Sequence, residues 1–142
     1  MLGFIKNIFR RETPRSVEDN ALQVAAGLIQ LQLALSSSAP TFRERLCHPY
    51  ARGYLFGIFD AHISLFATDE ISEEERANQI ALGHFCALDQ FKSVEDFINL
   101  SFRLVREPEF ISGQVRGGEE YVSFINTKRT PMQLAEYLRG AE

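Results

Sequence analysis

The stretch from Pro49 to Ala67, PYARGYLFGIFDAHISLFA, decides the fold. Proline suits the first turn of a helix, and the aliphatic and aromatic residues after it leave scarcely any polar side. A helix that is apolar nearly all round is typical of a protein core. Arg52, Asp60 and His62 would each be costly at the centre of a bilayer. The stretch therefore predicts a buried central helix and not a membrane span.

Helices are predicted on both sides of this stretch from apolar spacings of three and four and from capping residues. Ser72 and Glu75 have the spacing of a capping box. The predicted helices cover Val17 to Ser36, 42–48, Ser72 to about Leu88, 94–106, and a last segment from Pro131 to Gly140. We predict one all-α domain over residues 1–142, a bundle of about five to seven helices.

The segment 109–126 has two possible structures. Its FISGQV and YVSFIN runs are rich in β-branched and aromatic residues, and Arg116-Gly117-Gly118 lies between them. We expect a loop followed by a helix near 119–126, with a small β-hairpin over 109–126 as the alternative.

Residues 1–13 are predicted to be a basic amphipathic arm. Apolar and basic side chains fall on opposite sides of a short helix over residues 1–11. Such an arm can dock on a partner or make weak contact with a membrane surface, or it can close one end of the core. Its candidate contact residues are Phe4, Ile5, Lys6, Ile8, Phe9, Arg10 and Arg11.

The charge distribution argues against nucleic-acid binding. The formal net charge of the whole chain is −4. Residues 1–15 have a net charge of +3, and the remaining chain therefore has a net charge of −7. Phosphate backbones are bound by clustered Lys and Arg, which an acidic body lacks. We expect no nucleic-acid partner.

A cytoplasmic location is expected. The uncharged segment Ala21–Pro40 resembles the apolar region of a signal peptide, but Gln23, Gln30 and Gln32 interrupt it and the part before it is long and includes acidic residues. Cys47 and Cys86 have no metal-like spacing and are expected to be reduced thiols.

Small residues recur within the central stretch. Gly53, Gly57 and Ala61 lie four residues apart and share one helix face, where another backbone can approach closely. We expect this stripe to serve helix packing inside the monomer. A dimer contact and a ligand against the bare backbone are the alternatives.

Polar residues of the central stretch are the candidates for a binding site. A buried charge must be paired or neutralised, and Asp60 and His62 stand in an otherwise apolar helix. A site there would use Arg52, Gly53, Gly57, Asp60, His62 and, from the next helix, His84. Hydrogen bonds that serve only the core are the competing interpretation.

No motif for nucleophilic, phosphoryl-transfer or redox chemistry is present, and no pair of histidines has metal-ligand spacing. We therefore expect no catalytic residues, metal or cofactor. The leading hypothesis is a noncatalytic interaction module of the adaptor, regulator or inhibitor type, which binds another protein or itself. The alternatives are a small-ligand- or metal-binding domain at Asp60 and His62, and a peripheral membrane protein attached by residues 1–11.

Overall fold

The computed structural model describes residues 17–67 and 69–140, and these ranges contain seven α-helices and no strand. The helices are α1 (Val17–Ser36), α2 (Phe42–Leu46), α3 (Pro49–Phe66), α4 (Glu73–Ala87), α5 (Val94–Arg103), α6 (Pro108–Thr127) and α7 (Gln133–Leu138). The prediction of an all-α bundle of five to seven helices is confirmed.

Helix α3 is the centre of the bundle. It contacts each of the six other helices in the described ranges, and most of its side chains from Ala51 to Ile63 are buried. The same continuous core takes in apolar residues from α1, α2, α4, α6 and α7, with partly buried residues of α5 packed against it. The apolar composition of this helix is explained by neighbours on all its sides.

Helices α3 and α6 run parallel to each other and form the most extensive contact between any two of the described helices. The backbone of Gly53 lies against Phe110, and that of Gly57 lies against Gln114, so both chains advance in the same direction. Gly113 and Gly117 of α6 lie in turn against the backbone of α3. The missing Cβ atoms let the two backbones touch, which confirms that the glycine stripe serves packing inside the monomer.

The predictions for 109–126 were wrong in part. This segment is neither a β-hairpin nor a loop with a short helix; it belongs to one continuous helix from Pro108 to Thr127. Gly117 and Gly118 favoured a turn because glycine weakens an isolated helix by about 1 kcal/mol. In the bundle, contact with α3 offsets this cost, because side chains in place of Gly113 and Gly117 would hold α6 away.

Local capping is confirmed at one helix and differs at others. Ser72 Oγ accepts a hydrogen bond from the backbone N–H of Glu75 at 3.1 Å, as the capping-box pattern predicts. Ser93 precedes α5 with a left-handed backbone (φ 60°) and makes no capping bond with its side chain. The last helix begins at Gln133 and not at Pro131.

The predicted arm, residues 1–13, lies outside the described residues. Within the ranges 17–67 and 69–140, none of the helices has the length and apolar character needed to cross a membrane.

Candidate functional site

Arg52 is a buried cation held by uncharged groups. Its side chain is 3% exposed and donates hydrogen bonds to the carbonyl oxygens of Cys47 (2.6 Å) and Phe97 (2.7 Å) and to Ser101 Oγ (2.9 Å). The guanidinium also lies over the Phe97 ring, 4.1 Å from its centroid. Burial lowers the pKa of Arg52, and the adjacent Cys47 thiol opposes this shift. Within the described part of the chain, no carboxylate forms an ion pair with it.

Asp60 and His62 have separate partners. Asp60 pairs with Arg76 of α4 at a half-exposed position. The Nδ1 atom of His62 lies 2.9 Å from the hydroxyl of Tyr121 in a buried contact, and burial lowers the pKa of His62. The tertiary partner of Asp60 is therefore Arg76 and not Arg52. The binding role suggested for Asp60 and His62 stays a prediction.

His84 is a neutral core residue. Its Nδ1 donates to the carbonyl oxygen of Ile80 at 2.8 Å, and its ring packs against Phe56, Phe59 and Phe97. Complete burial lowers its pKa to about 4; the hydrogen bond to Ile80 opposes the shift, and the charge of Arg52 adds to it. Nε2 is buried and has no hydrogen-bond partner.

The space beside Gly53 and Gly57 is filled by α6. The carbonyl oxygens of Phe110 and Gln114 occupy the positions that side chains would take there. The predicted ligand position against the bare backbone is thus taken by the protein itself. Among the described residues, no group of three or more His, Cys, Asp or Glu side chains could hold a metal ion.

A buried polar network, which the sequence did not reveal, joins four helices. Gln32 Nε2 donates to the Tyr54 hydroxyl at 3.0 Å, and this hydroxyl donates to Glu120. Gln32 Oε1 accepts from the backbone N–H of Ala135, and Glu120 accepts from that of Gln133. Burial raises the pKa of Tyr54, so that it stays a neutral donor. The network anchors the start of α7, which is a structural role.

The outer face of α1 is exposed and uncharged. Residues 22–36 contain no Asp, Glu, Lys or Arg. The solvent-exposed side chains are Val24 (48%), Leu31 (44%) and Leu35 (45%), together with Gln23, Gln30 and Ala34. Gly27 lies among them, and a Cβ built there would meet nothing within 4 Å. We call these seven residues the α1 face.

Two concave regions lie elsewhere on the surface. A pocket of about 250 Å³ between α6 and the segment before α7 is lined by side chains of both charges, including Arg116, Glu119 and Arg129. A larger groove of about 490 Å³ lies between α2 and the segment from Leu88 to Phe97. Its lining residues are Arg43, Leu46, Cys47, Leu88, Gln90, Phe91, Lys92, Val94 and Phe97. We call it the α2–α5 groove.

Comparison of the chain with known protein families, with characterised proteins and with solved structures finds no match in any of the three.

Proposed function

We propose that the chain is a noncatalytic protein-interaction module that associates through the α1 face, and that the occupant of this face is a second copy of the chain. The observation that carries the proposal is the exposure of Val24, Leu31 and Leu35 along one uncharged side of a helix. Exposed apolar side chains are ordinary when scattered, whereas a contiguous set marks an interaction surface.

The arrangement of the α1 face is self-complementary. On a helical projection, Gly27, Leu31 and Ala34 run along its middle, Val24 and Leu35 form one edge, and Gln23 and Gln30 form the other. In an antiparallel pair related by a two-fold axis, each edge meets the same edge of the partner helix. Apolar side chains then face apolar ones across the axis, and the opposite edge, where Gln30 Nε2 donates to the carbonyl oxygen of Cys86, carries no charge.

Gly27 and Leu31 fit the same arrangement. A two-fold axis that passes midway between them places Leu31 of each copy against Gly27 of the other. The open space above Gly27 can then receive the Leu31 side chain, in the manner of a knob in a hole. Because no charge lies on the face, the pairing brings no like charges together.

The exposed stripe on α6 is a weaker candidate for this role. Ile111, Val115 and Val122 are also exposed, but charged side chains flank them at Arg116 and Glu119. A face bordered by charges can remain solvated more easily than an uncharged one. It therefore provides a matched control.

The test is sedimentation velocity on the full chain over a range of protein concentrations. We expect a monomer–dimer equilibrium, which Leu31→Glu weakens at least tenfold because it places a charge in the centre of the contact. Gly27→Leu should weaken the dimer in the same way while the monomer stays folded, since the added side chain meets open space. Val115→Glu changes a residue that is 55% exposed and should leave the equilibrium unchanged.

Two results would overturn the proposal. One is a wild-type chain that stays monomeric at every concentration. The other is an equal loss of dimer in Leu31→Glu and Val115→Glu, which would show that any added charge opposes association. Circular dichroism of each variant confirms that its helices are intact.

A further inference from the structure

The α2–α5 groove is lined mainly by apolar side chains, with two basic side chains among them. The apolar side chains of the lining are Leu46, Leu88, Phe91, Val94 and Phe97, of which Phe91 is the most exposed, and the basic ones are Arg43 and Lys92. Its volume, about 490 Å³, falls within the range of small-molecule sites, which bind mainly through apolar walls and a few placed polar groups.

The charge of this lining differs from that of the chain. The protein has 19 acidic side chains against 15 lysines and arginines, yet the groove is lined by two basic residues and no acidic one. The lining itself therefore offers positive charge to a bound anion, although Glu44, Asp89 and Glu95 are chain neighbours of lining residues and the protein as a whole is acidic.

Arg52 adds a third positive charge behind the groove wall. Its guanidinium donates to the carbonyl oxygens of Cys47 and Phe97, and both of these residues line the groove. No carboxylate pairs with it in the described ranges, so carbonyl and hydroxyl oxygens solvate its charge without neutralising it. A buried charge in a low-dielectric surrounding is felt over a longer distance than one in water.

We propose that the α2–α5 groove binds a small carboxylate with an apolar tail, of the fatty-acid type. The tail packs on the apolar lining, where Phe91 and Val94 are accessible, and the carboxylate is bound by Arg43 and Lys92. The groove is bordered by the five-residue helix α2, the segment from Leu88 to Lys92 and the first turn of α5, and its volume of about 490 Å³ suits a small molecule. This site is separate from the α1 face and does not depend on its role.

The first test is calorimetric titration of the full chain with decanoate below its critical micelle concentration, and with decanol as the uncharged analogue. We expect saturable binding of decanoate and binding of decanol that is about tenfold weaker. The double variant Arg43→Gln/Lys92→Gln should weaken decanoate binding by about tenfold, the size expected when two partly exposed ion pairs are lost. Arg103→Gln/Arg106→Gln, which removes two exposed cations at the other end of α5, should leave it unchanged.

A second measurement locates the ligand. Cys47 is exposed in the groove, whereas Cys86 lies outside its lining and is partly buried. Saturating decanoate should slow alkylation of Cys47, measured by mass spectrometry, and leave the alkylation of Cys86 unchanged as an internal reference.

The proposal is overturned by an absence of saturable binding, by equal affinity for decanoate and decanol, or by binding that leaves Cys47 unprotected. A short apolar peptide with a free terminal carboxylate is titrated in the same way as a further comparison. Tighter binding of this peptide than of decanoate, abolished when the peptide is amidated, would assign the groove to peptide termini instead.

Discussion

Two neighbouring glycines of α6 should respond in opposite directions to the same substitution. A Cβ built on Gly117 would lie 2.2 Å from the carbonyl oxygen of Tyr54 in α3, and 3.0 Å from the carbonyl carbon. A Cβ on Gly118 would lie 3.6 Å from the nearest atom, the carbonyl oxygen of Gly57. Only the first position lacks room for a methyl group.

The magnitudes follow from these distances. Alanine in place of a glycine inside a helix gains about 1 kcal/mol in propensity. At Gly118 nothing opposes this gain, so Gly118→Ala should raise the free energy of unfolding by about 0.5–1 kcal/mol. At Gly117 the obstacle is backbone, which cannot rotate aside, and the helices must separate by about 1 Å. A gap of this size forfeits about a quarter to a half of the dispersion energy along the contact.

Overpacking of this kind costs about 1–3 kcal/mol and sometimes more. The separation also loosens the contacts at Gly53, Gly57 and Gly113, because the same two backbones meet there. We therefore expect Gly117→Ala to lower the free energy of unfolding by about 2 kcal/mol, net of the gain in propensity.

The assay is urea denaturation followed by the helical circular dichroism signal, which suits a chain without tryptophan. Melting temperatures should differ between the two variants by about 10 °C at this chain length. Equal effects of the two substitutions would refute the close approach of α3 and α6. Destabilisation by Gly118→Ala and not by Gly117→Ala would show that Gly118, and not Gly117, lies against α3.

Two further predictions concern buried polar groups. His84 has a pKa of about 4 in the folded chain against about 6.5 unfolded, so the unfolded state binds the extra proton between these values. The free energy of unfolding should therefore fall by up to about 3 kcal/mol as the pH drops from about 6.5 to 4. His84→Phe should remove most of this pH dependence, measured by urea titrations at each pH. An unchanged pH dependence would contradict the lowered pKa of His84. Tyr54→Phe removes the hydroxyl between Gln32 and Glu120 and should cost about 1–3 kcal/mol, because the amide of Gln32 stays buried without this acceptor. Tyr137 is partly buried, and the same measurement on Tyr137→Phe should give a change in the free energy of unfolding within about 0.5 kcal/mol. A similar loss of stability in both variants would contradict a stabilising role of the network.

Local chemistry was sufficient to predict most of the helices. Pro49 marks the start of α3, and Ser72 caps α4 through the N–H of Glu75. The apolar residues from Tyr54 to Phe59 required burial on every side, and α3 is the central helix for that reason. These features could be read directly because they depend on residues within a turn or two of each other.

The candidate site was predicted less well, because adjacency along a helix does not determine tertiary partners. Asp60 and His62 are two residues apart, so their side chains leave α3 in directions about 160° apart around its axis. Arg76 and Tyr121, which they contact, come from α4 and α6. The α2–α5 groove could not be foreseen either, since its walls are more than forty residues apart in the chain.

The sequence by itself determined the helical class, the central position of α3 and the uncharged character of the α1 face. Only the tertiary structure decided that 108–127 is a helix and that the glycine stripe of α3 faces α6. The physical reason is that glycine opposes a helix in isolation and favours one where two backbones touch. The sign of its effect thus depends on a neighbour that lies more than fifty residues away in the chain, Gly113 against Tyr50 and Gly117 against Tyr54.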